Sequence, residues 1–189
     1  VGSEPLDPSR HALGGGVDAY TNERITHGMQ LAEKAAATET PMVSLSTPPL
    51  MHGAAHWASF NGFHSGSTVM FQDVTDRFDP HDVLGMVERE KINVMLIVGD
   101  AFARPLIDQL RVQSYDLSSL FALVSGGAAL NATLKKELLE LLPKVMIIDA
   151  IGSSETGSQA QNVSTEATGA TTGTFNLGHG ACVLSEDLT

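Results

Sequence analysis

Basic residues are scarce in this chain. It has 11 Lys and Arg against 22 Asp and Glu in 189 residues, a formal net charge of −11. No basic run occurs, which argues against nucleic acid and anionic membrane surfaces as partners. Cysteine is almost absent: Cys182 stands alone, so no internal disulfide can form, and a reducing, cytoplasmic compartment is expected. With no basic partner nearby to activate its thiol, Cys182 is expected to be a small core filler. Apolar runs of roughly eighteen residues are lacking, so no integral membrane segment is expected. The N-terminus shows no basic stretch leading into an apolar one, so no signal peptide is expected.

What is present is ordinary globular material. Hydrophobic residues make up 42% of the chain and the mean hydropathy is +0.04. The length suffices for one domain with a real core, or for two small ones. Residues 1–41 read as an irregular lead-in, with a flexible loop at Gly14-Gly15-Gly16 and a helix over Glu23 to Ala37. Residues 42–157 alternate regularly. Strands are expected at Met42–Ser46, Ser67–Phe71, Asn93–Val98, Leu120–Ser125 and Lys144–Asp149. Helices are expected at Gly53–His64, after the Asp79-Pro80 cap, at Phe102–Val112 and at Ala132–Leu142 behind Asn131.

Pro105 should fall in a helix's first turn, where proline is tolerated. In the last helix Leu134, Leu138, Leu141 and Leu142 should face inward, with Lys135, Lys136, Glu137 and Glu140 outward. Such alternation predicts an α/β fold, a mainly parallel sheet covered by helices. Residues 158–189 read as a loop and short strands, a β-rich tail that ends at Thr189 as if cut within a larger protein.

Four strand ends carry the chemistry: Pro49-Leu50-Met51-His52-Gly53, Gly99-Asp100, Ser125-Gly126-Gly127-Ala128-Ala129-Leu130, and Asp149 to Gly157. Parallel strands bring their carboxyl ends to one edge, and ligands bind at that edge of open α/β sheets. Glycines let a ligand approach the backbone, hydroxyls donate to phosphate oxygens, and Glu155 can reach a hard cation. His52 and His56 share one helix side; without a third ligand they read as a pocket-lining or solvent-capped pair rather than a metal pair.

Three of these strings resemble motifs of the adenylate-forming superfamily, which includes acyl-CoA synthetases, luciferases and adenylation domains. Gly152-Ser153-Ser154-Glu155-Thr156-Gly157 resembles its YGxTE-type motif, Ser125 to Leu130 its GGApL-type motif, and Pro49 to Gly53 its P-x-x-H motif. GDAFARPL together with GSSETG most resembles bacterial ligases that activate fatty acids and steroid side chains. The resemblance spans Met42 to Thr189.

The resemblance implies one subdomain of the large N-terminal domain of such an enzyme. It implies ATP-dependent activation of a small-molecule carboxylic acid as an acyl-adenylate, then thioester formation with coenzyme A. Ser154 and Glu155 would be the catalytic pair, Ser154 on the α-phosphate and Glu155 on Mg²⁺. ATP and AMP would lie against Ser125, Gly126, Gly127, Ala128, Asp149, Ala150, Ile151, Gly152, Ser153 and Ser154, with Asp149 accepting from the adenine amino group. His52, Gly53, Trp57, Gly99 and Asp100 would line the acyl side, with His52 as the tunnel's gate.

Ile151 stands where the family usually carries an aromatic, leaving apolar contact in place of stacking. The family's phosphate loop would lie before Val1, and its hinge and lysine-bearing small domain after Thr189. The isolated chain is therefore expected to be inactive. Two other classes fit parts of the pattern. One is a non-catalytic nucleotide-binding module. The other is a serine hydrolase, because GSSET nearly spells a nucleophile elbow, with Glu166 and His179 as the following acid and base.

Overall fold

The computed structural model describes residues 27–155, 157–177, 182 and 185. The expected loop at residues 14–16 and the first residues of the expected N-terminal helix lie outside that set, as do Gly178, His179 and Gly180. The helix itself runs over Gly28–Ala37 (α1).

Five strands and four helices then alternate: β1 Val43–Ser46, α2 Gly53–His64, β2 Thr68–Phe71, α3 Pro80–Glu90, β3 Val94–Ile97, α4 Gly99–Val112, β4 Ala122–Gly126, α5 Ala132–Leu141 and β5 Met146–Ser153. Two further strands, β6 Gly157–Ser164 and β7 Asn176–Leu177, follow. Among the described residues the strands form one sheet in the order β2-β1-β3-β4-β5-β6-β7. β1 to β5 pair in parallel, and β6 and β7 are added antiparallel. This is the mainly parallel, helix-covered α/β sheet expected from the alternation.

The register puts Leu45, Met95, Leu123 and Ile147 in one row across four strands. All four are essentially fully buried, and they form the floor of the core. Val83, Leu84 and Val87 of α3, Ala103, Leu106 and Ile107 of α4, and Leu134 and Leu138 of α5 pack onto that row. Burying side chains of this kind is the main drive for folding, worth roughly 1.5–3 kcal/mol for each large one. The opposite face carries the row Ser46, Leu96, Val124, Ile148 and Val163. Its cover thins from Ser46 and Leu96, which are buried beside α2, to Val163, which is exposed. β5 therefore alternates in burial, where a continuous apolar run led us to expect both faces covered.

Helix starts follow their chemistry. The Asp79 carboxylate accepts from the N–H groups of His81 and Asp82 at 3.1 and 3.2 Å, with Pro80 at the first helical position. The Asn131 side chain accepts from Leu134 N–H at 2.9 Å. α3 ends with Lys91 in the left-handed conformation, φ 52°.

Further expectations are corrected. Leu141, expected to face inward, is 37% exposed at the end of α5. α4 begins at Gly99, directly from the end of β3, so Pro105 lies inside the helix and not in its first turn. Gly99 allows this by adopting φ +47° and by letting the Ala128–Ala129 backbone come so near that a Cβ would sit 2.4 Å from the Ala129 carbonyl oxygen. Lys135 faces inward and is buried, because an acid waits for it in the core. β5 continues past Asp149 to Ser153 because β6, which sequence patterning did not reveal, pairs with it throughout. Cys182 is exposed, not core; it follows β7, whose two residues at the sheet's edge are themselves exposed. No helix among the described residues is long and apolar enough to cross a membrane.

Candidate nucleotide and acyl site

Because β1, β3, β4 and β5 are parallel neighbours, their carboxyl ends share one edge of the sheet. The sequence's four candidate stretches all lie there, and close contacts join them. The Gly99 N–H donates to the Ser125 hydroxyl at 3.2 Å, tying the end of β3 to that of β4. Ser125 stands beside Asp149, and Gly126 beside Ala150, in the β4–β5 pairing. Asp100 N–H donates to the Ala129 carbonyl at 3.0 Å. Gly53, at the start of α2, lies against Ser154 beyond the end of β5: a Cβ on Gly53 would fall 2.5 Å from the Ser154 hydroxyl oxygen. Ser154, Gly126 and Gly53 with its neighbour His52 thus border one rim.

Gly152, Ser153, Ser154, Glu155 and Gly157 lie at the tip of the β5–β6 hairpin. Ser153 pairs with Gly157 and Gly152 with Ser158, with a register shift beside Ile151. Only glycine fits at 152, where a Cβ would lie 2.1 Å from the Gly157 carbonyl oxygen, and Gly157 itself has φ +69°. Ser154 and Glu155 are exposed in the turn, free to meet a ligand from solvent. Ile151, just before the tip, is 50% exposed, so an apolar surface is offered beside the hydroxyls.

This geometry separates the competing readings of GSSET. A nucleophile elbow is a strand-to-helix turn. Here the turn joins strand to antiparallel strand. Glu166, the acid that reading would need, is exposed on a turn after β6, and His179 lies outside the described residues. The hydrolase geometry is not built.

Other candidates are placed as follows. His52 precedes α2 at its N-cap with no side-chain capping bond, and is exposed. His56 is exposed too, its ring 4.8 Å from Phe60 and 6.4 Å from the half-buried Trp57. Beneath α2 lies a cavity of about 100 Å³ lined by Ser46, Ser59, Gly62, Leu96 and Val124 among others. The Ser46 hydroxyl is buried with no hydrogen-bond partner among the described residues.

Asp100 is already engaged: its two carboxylate oxygens accept from the Asn131 backbone N–H at 2.8 Å and side-chain amide at 2.7 Å. It joins the start of α4 to the cap of α5 and so braces the rim. Asp149 is also engaged, paired with the Lys135 ammonium.

For Mg²⁺, no group of three or more His, Cys, Asp or Glu side chains gathers among the described residues. A lone exposed carboxylate beside a hydroxyl does fit the way Mg²⁺ is usually held, by one or two carboxylates with substrate phosphates and water.

Sequence reasoning missed three groups around this rim: Lys135, Asn131 as a partner of Asp100, and Thr171. Lys135 had a signal. It lies at the i, i+1, i+4, i+5 positions with Leu134, Leu138 and Leu139, within the inward stripe of α5.

The chain is 40% identical over 175 residues to the medium-chain acyl-CoA ligase Mig of Mycobacterium avium, spanning 93% of this chain and 32% of that protein. It is 41% identical over 152 residues to the 3-oxocholest-4-en-26-oate–CoA ligase of Rhodococcus rhodochrous, spanning 77% of this chain and 26% of that one. The chain thus covers about a third or less of these relatives' lengths. Its fold resembles a long-chain-fatty-acid–CoA ligase from Archaeoglobus fulgidus, with a TM-score of 0.58, 15% identity, and 74% and 29% of the two chains covered. It also resembles a luciferase-like enzyme from Zophobas morio, with a TM-score of 0.56, 22% identity, and 71% and 31% covered. Residues 20–187 match the family described as AMP-binding enzyme, and the chain belongs to that family.

Proposed function

We propose that this chain is a segment of an ATP-dependent, AMP-forming acyl-CoA ligase that activates a fatty or steroid side-chain acid. The observation that carries this is the meeting of the Gly53 and Ser154 segments at the carboxyl edge of the parallel sheet. Relatives named for medium-chain acyl and 3-oxocholest-4-en-26-oate substrates support the acid class.

In the first step a substrate carboxylate oxygen attacks the α-phosphorus of ATP; a P–O bond forms and the bond to pyrophosphate breaks. The Ser154 hydroxyl donates to an α-phosphate oxygen as negative charge builds there. Glu155 would hold Mg²⁺, which neutralises charge on the phosphate oxygens when bound. Asp149 accepts from the adenine amino group, and Ala150, Ile151 and the Gly126–Ala128 backbone cradle the purine. His52 and Trp57 border the acyl group, and the cavity beneath α2 supports placing its chain on that side. In the second step the coenzyme A thiol attacks the acyl carbonyl and AMP leaves. Asp100 and Gly99, assigned to the acyl side from sequence, serve that wall by holding the rim together. A reducing cytoplasmic setting suits the single cysteine, and the acidic charge suits small-molecule rather than nucleic-acid partners.

The test uses the full-length protein, measuring AMP release with a medium-chain fatty acid and with a steroid side-chain acid. Ser154→Ala and Glu155→Ala should each lower turnover by roughly 10²-fold or more. Unchanged turnover in Glu155→Ala would remove the Mg²⁺ role. The 189-residue chain alone should form no acyl-CoA, and detectable product would show that no further segment is needed.

A further inference from the structure

Lys135 is an anomaly in this fold. Its side chain is 1% exposed, in a residue type almost never buried without a partner. Its ammonium pairs with Asp149 Oδ2, on a side chain only 9% exposed, and donates to the Thr171 carbonyl oxygen at 2.5 Å. Thr171 is itself tied to the sheet, since Asn162 of β6 donates its side-chain amide to the Thr171 hydroxyl at 3.1 Å. Next to it, the Thr172 hydroxyl accepts from Ala132 N–H at the first position of α5, at 2.6 Å. Residues 171 and 172 therefore strap the N-terminal turn of α5 to β6, with the Lys135 ammonium at the knot.

Within the sheet, Asp149 pairs with Ser125 on one side and with Asn162 on the other. Ser125 in turn receives the Gly99 N–H. One buried cation thus reaches the ends of β4 and β5 and the strap, the elements that flank the proposed purine.

Burial of an ion pair is a poor route to stability. Both charges must be stripped of water, and well-packed apolar replacements are often neutral or better. An arrangement this demanding is accounted for by what it orients. We propose that Lys135 is a positioning residue for nucleotide selection. By fixing the Asp149 carboxylate at the purine edge, it sets the acceptor that distinguishes an adenine amino group from a 6-oxo group. This rests on the ligase reading above and adds a residue to it.

The experiment compares kcat/KM for ATP and for inosine triphosphate, which carries a 6-oxo group, in the full-length protein and its Lys135→Met variant. The ATP preference should fall roughly tenfold, through KM for ATP, while KM for the acid and for coenzyme A holds. A merely structural lysine would lower the amount of active enzyme but leave the ATP-to-inosine ratio unchanged, and that result overturns the proposal.

Should Lys135→Met fail to fold because Asp149 is left buried and unpaired, Lys135→Met/Asp149→Asn removes both charges. The double variant should fold and show the same reduced preference as Asp149→Asn alone, because Lys135 acts only through Asp149; a further drop beyond Asp149→Asn, or a wild-type preference, overturns the proposal. Wild-type protein that releases no nucleoside monophosphate from either nucleotide would sink the ligase reading itself, and this inference with it.

Discussion

Ser154 at the tip of the β5–β6 hairpin rests against the Cα of Gly53 at the start of α2, so closely that a Cβ would lie 2.5 Å from its hydroxyl oxygen and 3.2 Å from its Cβ. The proposed phosphate-binding serine and the proposed acyl-gate helix are therefore in direct contact. Gly53→Ala must push one of them away. Alanine is also the better helix former by up to roughly 1 kcal/mol, so the substitution should cost little stability. We expect turnover in the full-length protein to fall roughly tenfold or more while the melting temperature stays within a few degrees. Retained turnover would mean that Ser154 does not need this seat.

Asp100 gives a contrasting prediction. Both its carboxylate oxygens hold Asn131, which in turn caps α5. Asp100→Ala leaves a part-buried N–H and amide without their acceptor, a loss of about 1.5–3 kcal/mol for hydrogen bonds to a charged group. Chemical denaturation should show that loss, and a change within error would deny Asp100 its bracing role.

The core row gives a larger effect. Leu123 is 0% exposed and sits between Met95 and Ile147 in the sheet. Leu123→Ala should destabilise the chain by about 2–5 kcal/mol, from lost transfer energy plus the cavity left behind. A loss below 1 kcal/mol would mean that the sheet and helices collapse around the gap.

Acid should weaken a particular surface cluster. A side-chain hydrogen bond from Lys91, reinforced by the Ser118 hydroxyl and N–H, holds the Asp116 carboxyl well below the usual carboxylate range. The folded-state pKa is depressed, so the contribution is complete above the unfolded value of about 3.9 and fades as pH falls below it. Asp116→Asn should therefore be less stable than wild type at neutral pH, and the gap should close on acidification below about pH 4. A gap that widens in acid would contradict the assignment. Asp116 is exposed on the surface, so the difference should also shrink in high salt.

A fluorophosphonate probe tests the hairpin reading of GSSET. Ser154 and Ser153 sit on a strand-to-strand turn and not on the strand-to-helix turn of a nucleophile elbow, so neither should be labelled. Stoichiometric labelling at either serine would revive the hydrolase alternative.

Much of the fold was legible in the sequence. Short apolar runs marked β1 to β5. Asp79-Pro80 and Asn131 marked two helix starts, because a cap is a local bond between a side chain and N–H groups two or three residues on. The edge carrying the site was legible for a topological reason: parallel strands put all their carboxyl ends together. β6 was not legible. Its string, Gly157-Ser158-Gln159-Ala160-Gln161-Asn162-Val163-Ser164, has little strand propensity, and pairing with β5 makes it a strand.

The sequence alone determined the element order from β1 to β5, the mainly parallel sheet, and the rim on which Gly126, Asp149, Ser154 and Glu155 fall. Those features depend on the spacing of residues along the chain and on local backbone preference. Tertiary structure alone decided that Lys135 is partnered by Asp149, that Asp100 is held by Asn131, and that Ser154 sits on Gly53. A lysine is an exposed residue until a distant segment brings it an anion in the core. A glycine is only a permissive link until another strand's side chain occupies the space its Cβ would take.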